Sequence, residues 1–254
     1  MAANIYDVIM LFGDSITQAA WTTGGFGAVL TNMYSRKLDV LNRGLAGYNT
    51  CWAIPVLEQC LATLQGQQHV PKIRMLVVWF GANDACIKPS PQHVPLPNFI
   101  ENLKHMVWLV HSPESPYYSP STKIILVTPP PVNTHQWGGN LASRDPPLAL
   151  DREFETTRAY AKGVIEAAVV SKVSVVDVWT AIWKAAGEEE VALSKYLSDG
   201  LHLTPDGYTV MYEALMQTIQ MEHPELHYDN LLYAFPRWDE IDWANPRPSV
   251  QKGA

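Results

Sequence analysis

Cysteine is scarce in this 254-residue chain: Cys51, Cys60 and Cys86 are all it has, an odd number with no Cys-x-x-Cys spacing. That usage argues against a disulfide framework and fits free thiols in a reducing compartment. Charge is sparse too, at 17% of residues with a net −7, and no Lys/Arg run is interleaved with aromatics. Nucleic acid and anionic membrane are therefore poor partners. No stretch of about 18 apolar residues occurs, so no membrane-spanning helix is expected. The opening MAANIYDVIMLFGDS lacks the basic flank and long apolar core of a secretory leader. A cytoplasmic location is the expectation. A phosphate loop and a dinucleotide fingerprint are missing, and no histidine pair has the spacing of a zinc protease. No cofactor and no metal are expected.

What the chain does have is apolar patterning, with 47% apolar residues. Five short runs, at 8–12, 38–41, 73–80, 123–128 and 173–178, are continuously apolar rather than alternating. Such runs predict strands of a parallel sheet covered on both faces. Helix-length stretches lie between them, at 26–37, 50–64, 98–111 and 150–170, the last with Leu150, Phe154, Ala161, Ile165 and Ala168 on one face. Thr204-Pro205 starts a later helix, with threonine as N-cap and proline at the first helical position. Alternating strand and helix predicts an α/β fold: a doubly wound, three-layer α/β/α sandwich with right-handed crossovers. Ligands of such sheets bind beyond the carboxyl ends of the strands.

Four short segments carry the chemistry: Phe12-Gly13-Asp14-Ser15, Asn42-Arg43-Gly44-Leu45-Ala46-Gly47, Gly81-Ala82-Asn83-Asp84 and Asp199-Gly200-Leu201-His202. The first three follow the first three strands and so fall on one rim. Ser15 is a candidate nucleophile, although a lone serine after Gly-Asp is ordinarily a turn or cap residue. A serine hydroxyl needs a base, and His202 is the candidate, with Asp199 three residues before it to orient the ring. An isolated Asp/His pair at this spacing is as readily a surface ion pair. The N–H groups of Ser15 and Gly47 and the side-chain amide of Asn83 are candidate oxyanion donors. Gly47 is expected to let the backbone approach closely because it has no Cβ. Asp14 and Asp84 read as braces of their turns, and Asp177 as structural. Of the remaining histidines only His135, in the loop after the fourth strand, draws attention. The order Ser…Asp…His matches the α/β-hydrolases, but no Gly-x-Ser-x-Gly surrounds Ser15.

Proline-rich loops are expected at 112–121 and 129–147, the second as either a rigid connector or a pocket wall. Trp21, Phe26 and Trp137 are guessed as walls of a substrate pocket. Residues 1–221 read as one domain and 222–254, with Trp238 and Trp243, as an arm packing on the body or on a partner subunit.

Together the four segments resemble the blocks of the SGNH subgroup of GDSL esterases and lipases. The resemblance implies Ser15 as nucleophile, Asn83 as side-chain oxyanion donor, Asp199 and His202 as acid and base, and Gly47 as backbone oxyanion donor, with Gly44 the alternative. Phe12-Gly13-Asp14-Ser15-Ile16-Thr17, Gly47-Tyr48-Asn49-Thr50, Thr128-Pro129-Pro130-Pro131 and Asp199-Gly200-Leu201-His202-Leu203-Thr204 are similar to the isoamyl acetate-hydrolysing branch. That likeness implies a flavodoxin-like five-stranded sheet, hydrolysis of small short-chain esters, no metal and a homodimer. Competing readings on the same fold are a carbohydrate O-acetylesterase and a lysophospholipase or thioesterase. A nucleotide- or flavin-binding module and an interaction scaffold built on the tryptophan-bearing arm stand outside the enzyme class.

Overall fold

The computed structural model describes residues 6–251, so the outermost residues of both sequence-defined segments, 1–5 and 252–254, lie outside the described residues. Five strands, β1 (Asp7–Gly13), β2 (Leu38–Gly44), β3 (Ile73–Trp79), β4 (Lys123–Val127) and β5 (Ser174–Val176), form one parallel sheet in the order β2-β1-β3-β4-β5. The chain reverses its direction of travel across the sheet between β1 and β3. A crevice opens at such a switch point, beyond the strand ends.

Neighbouring residues of each strand serve opposite cores, because side chains alternate across a sheet. Ile9, Leu11, Met75 and Val77 meet α2 (Phe26–Met33), α7 (Val178–Ala185) and α8 (Pro205–Glu222) on one face. Met10, Phe12, Leu76 and Val78 meet α3 (Thr50–Cys60), α4 (Leu96–His111) and α6 (Phe154–Ser171) on the other. Two buried faces explain why the strands are continuously apolar. The α/β three-layer fold expected from the sequence is the fold observed.

Three expectations are corrected. Phe26 is no pocket wall: it is 2% exposed and packs in the core against Trp79 and Tyr208. The helix expected at 150–170 starts at Phe154, and Leu150 stands outside it, 39% exposed. The segment 129–147 is not all loop, since it holds α5 (Thr134–Ala142), capped by Asn133 accepting from Gln136 N–H. Gly138 and Gly139 inside α5 conceal it from a propensity reading, each costing about 1 kcal/mol relative to alanine. The short α1 (Ser15–Gln18) directly follows β1. Asp177 caps α7 by accepting from Thr180 N–H.

Beyond α8 the chain runs in short turns over the end of α2. Tyr34 Oη donates to Leu226 O at 2.8 Å, and Arg36 Nη2 donates to Phe235 O and Pro236 O at 3.1 and 2.8 Å. These anchors lie at the amino ends of the strands, opposite the rim that carries Ser15. Trp238 and Trp243 stack on one another and remain 70% and 76% exposed. Among the described residues no helix is long and apolar enough to cross a membrane.

Candidate active site

Ser15 is the first residue of α1, whose N-cap is Asp14; the Asp14 carboxylate accepts from Ile16 N–H at 2.9 Å. Capping turns the chain sharply off β1 and sets the serine at the rim, where first-turn N–H groups have no partner within the helix. The Ser15 Oγ lies 2.9 Å from His202 Nε2, and His202 Nδ1 lies 2.8 Å from Asp199 Oδ2. A carboxylate only accepts, so Nδ1 carries the proton and Nε2 presents its lone pair to the serine hydroxyl.

Asp199 serves its own loop as well. Its Oδ1 accepts from Leu201 N–H at 2.9 Å and from His202 N–H at 2.8 Å. Burial pushes this carboxyl up, but the hydrogen bonds from the His202 ring and the two backbone N–H groups win and hold it at about 2. The loop leans on α5: Asn133 N–H donates to Gly200 O at 2.9 Å, and Gln136 Nε2 donates to Leu197 O and Ser198 O at 3.1 and 2.9 Å. Gly200 has φ +96°, and a Cβ there would sit 2.4 Å from Trp137 N. Only glycine fits both that conformation and that contact. The helix concealed in the proline-rich segment therefore seats the base.

The segments after β2 and β3 meet at the same rim. Asn42 Nδ2 donates to Gln18 O at 3.0 Å and Gln18 Oε1 accepts from Ala46 N–H at 3.0 Å, tying the β2 loop to α1. Gly44 N–H already donates to Asn42 Oδ1 at 2.8 Å. Gly47 has φ +80°, yet a Cβ there would meet nothing closer than Gln92 Nε2 at 3.5 Å. Its glycine answers to the left-handed backbone, not to the crowding expected from the sequence. Asn83 Nδ2 donates to Tyr48 O at 2.9 Å, linking the two loops.

Trp137 is 4% exposed and sets its ring edge-to-face against the His202 imidazole, with centroids 6.4 Å apart. Trp21 is 38% exposed and lies over Gly27 at the start of α2. His135 is exposed on α5. A second serine–histidine pair, Ser174 Oγ and His223 Nε2 at 2.8 Å, sits at the amino end of β5. Burial lowers the His223 pKa against the opposing charges of Glu225 and Glu222. The pair joins β5 to the end of α8.

Asp14 and Asp84 are both buried beneath the rim. Asp84 Oδ1 accepts from Thr50 N–H and Oγ1, and its other oxygen has no partner among the described residues. Burial, reinforced for Asp14 by the nearby Asp84, lifts Asp14 to about 7 and Asp84 to about 6. A folded-state pKa raised above the unfolded value of 3.8 favours the protonated acid. Stability from Asp14 is then complete below about pH 4 and is lost as pH rises towards 7, a change on the order of 3–4 kcal/mol. Asp14→Asn keeps an oxygen for Ile16 N–H and removes the charge. Urea unfolding is expected to show the variant level with wild type at pH 4 and more stable at pH 8. Parallel curves for the two proteins would reject this account.

Matches to known proteins follow the geometry. Residues 11–210 match the model of the GDSL-like Lipase/Acylhydrolase family. The chain belongs to that family and is a carboxylic ester hydrolase. An isoamyl acetate-hydrolyzing esterase 1 homolog of Bos taurus is 34% identical over 248 residues, covering 97% of this chain and 92% of the relative. The isoamyl acetate-hydrolyzing esterase of Saccharomyces cerevisiae is 33% identical over 245 residues, covering 93% and 95%. Among solved structures, the lipase/acylhydrolase from Enterococcus faecalis superposes with TM-score 0.59 at 22% identity, covering 89% of this chain and 98% of that one. A catalytic mutant of an acetylxylan esterase from Geobacillus stearothermophilus does so with TM-score 0.60 at 18% identity, covering 85% and 95%. At such identities the structural likeness speaks for the fold alone.

Three contacts of the site had no signal in the sequence. Arg152, Asp151 and Gln92 belong to no motif, and only the folded chain brings them to the rim.

Proposed function

We propose that the protein is a two-step serine esterase acting on small, short-chain, acetate-type esters. The observation that carries this reading is the unbroken relay from Ser15 Oγ through both His202 nitrogens to Asp199, at 2.9 and 2.8 Å. Ser15 Oγ attacks the ester carbonyl carbon while His202 Nε2 takes its proton. Asp199 stabilises the imidazolium so formed without taking the proton. The carbonyl oxygen becomes an oxyanion held by the N–H groups of Ser15 and Gly47 and by Asn83 Nδ2. His202 then protonates the departing alcohol oxygen, leaving an acyl-Ser15 ester. Water enters, gives its proton to His202 and attacks the acyl carbon; the carboxylic acid leaves as Ser15 recovers its proton.

The short-chain assignment draws on the isoamyl acetate named for the relatives. Trp137 is buried like Phe26, so it backs the base and is not a pocket wall; its indole N–H donates to Asp151 at 2.7 Å. Incubation with a p-nitrophenyl phosphonate followed by peptide mass spectrometry is expected to place the adduct on Ser15. Across p-nitrophenyl acetate to decanoate, kcat/KM is expected to fall about tenfold or more beyond butyrate, as a filled pocket rejects added methylenes. An adduct on another residue would remove the mechanism, and a maximum at long chains would remove the substrate assignment.

A further inference from the structure

We infer that Arg152 and Gln92, outside all four motifs, are positioning residues that fix and polarise the Asn83 amide for the oxyanion; the inference rests on the acyl-transfer reading above. Arg152 is 3% exposed and spends its guanidinium fork on three partners. Nε donates to Ala82 O at 3.0 Å, Nη2 to Asn83 Oδ1 at 3.1 Å, and Nη1 to both Asp151 carboxylate oxygens at 2.8 and 2.9 Å. Gln92 Nε2 donates to Gly47 O at 2.8 Å and reaches Asn83 Oδ1 at 3.4 Å. It therefore touches both loops that hold the proposed oxyanion donors.

The chemistry of these groups leaves the amide one orientation. A guanidinium has donors only, so the Asn83 atom it meets must be the oxygen. Tyr48 O has lone pairs only, so the atom it meets must be the nitrogen. One N–H of Asn83 is thus taken by Tyr48, and the second is left for the cleft. Without Arg152 the amide loses the charged one of the three contacts that oppose a flip, the others being Tyr48 O and Gln92 Nε2, and a flipped amide would turn an oxygen toward the oxyanion. The contact is also charge-assisted. Positive charge at Oδ1 draws electron density from the amide and makes Nδ2–H a stronger donor.

Burying a guanidinium is costly unless it is paired, and the Asp151 carboxylate supplies that pair. Asp151 also accepts from Trp137 Nε1, while the Trp137 ring lies 5.1 Å from the guanidinium and packs against His202. One polar and aromatic cluster thereby connects the oxyanion donor to the wall of the base. Such a device acts on the transition state, so its loss is expected in kcat and not in KM.

The test is a double-mutant cycle of Arg152→Met and Asn83→Ala on p-nitrophenyl acetate, with Ser15→Ala run alongside. Arg152→Met is expected to lower kcat about 30- to 100-fold with KM within about threefold and the pH of half-maximal rate unmoved. In the double variant kcat should lie within about threefold of Asn83→Ala alone, because Arg152 acts through that amide. Gln92→Met should lower kcat about tenfold and couple to Asn83 in the same way. Losses that multiply in the double variant, or a raised KM with unchanged kcat, overturn the inference. Should Arg152→Met fail to fold, Arg152→Lys keeps the charge but not the fork and is expected to lose about tenfold in kcat; a wild-type kcat there overturns it. A fully active Arg152→Met beside a dead Ser15→Ala rejects the brace alone. An active Ser15→Ala rejects the acyl-transfer reading itself.

Discussion

Ser15→Ala is expected to lower kcat for p-nitrophenyl acetate by about 10⁴- to 10⁶-fold. The substitution removes only the Oγ, whose partner is His202 Nε2, and leaves the Ser15 N–H at the first turn of α1. The proposed oxyanion donors are therefore untouched, and a residual rate above water is expected from them. Cost to the fold is small, because the hydroxyl is half-buried and hydrogen-bonds His202 at the rim. A Tm within about 2 °C of wild type is the accompanying expectation, from a change near 0.5 kcal/mol in a chain of this size. Initial rates with enzyme in the micromolar range resolve the difference. Activity within tenfold of wild type would dismiss Ser15 as nucleophile.

Asp199→Asn is expected to lower kcat by about 10⁴-fold while leaving Ser15 and the cradle in place. Three donors converge on this carboxylate: the ring Nδ1–H of His202 and the backbone N–H groups of Leu201 and His202. An amide cannot accept from all three. If its NH₂ faces Nδ1, the imidazole must move its proton to Nε2 and can no longer accept from Ser15. If its oxygen faces Nδ1, the NH₂ confronts the backbone donors and the Asp199–His202 loop shifts. Either way the base is lost. The carboxylate also adds acid-sensitive stability. Its folded pKa, about 2, is depressed below the unfolded value of 3.8, so the contribution is full above about pH 4 and is lost as pH falls through 2. It amounts to about 2 kcal/mol. Unfolding free energies of wild type and variant should converge across that window, and a pH-independent gap would count against the hydrogen-bonded carboxylate. The sign is opposite to that of Asp14, whose stabilising form is the protonated one.

Legibility of the fold differed element by element. β1 and β3 were plain because burial on both faces forces unbroken apolar runs. The edge strand β2 extends to Gly44, past the apolar stretch, because Asn42 and Arg43 sit where one side of the strand meets solvent and loop. The helix α5 was hidden by its glycines and by the prolines before it. It holds its place through Trp137 and Leu141 in the core and through backbone contact with Gly200. Propensity is a local quantity and tertiary packing overrode it. Phe26 misled for a related reason. It was only guessed as a wall, and the amphipathic face of α2 turns that ring inward against Trp79.

The sequence by itself determined the sheet, the family and the parts of an acyl-transfer site, since each rests on a local pattern: an apolar run, a capped turn, or Asp and His three residues apart. Tertiary structure alone decided how those parts become a site. It closed a serine and a histidine 187 residues apart to 2.9 Å. It engaged the Gly44 N–H with Asn42 Oδ1, and it brought Arg152 and Gln92 to Asn83. Contacts between residues far apart in the chain leave no spacing to read. They exist only once the two cores have fixed where each loop ends.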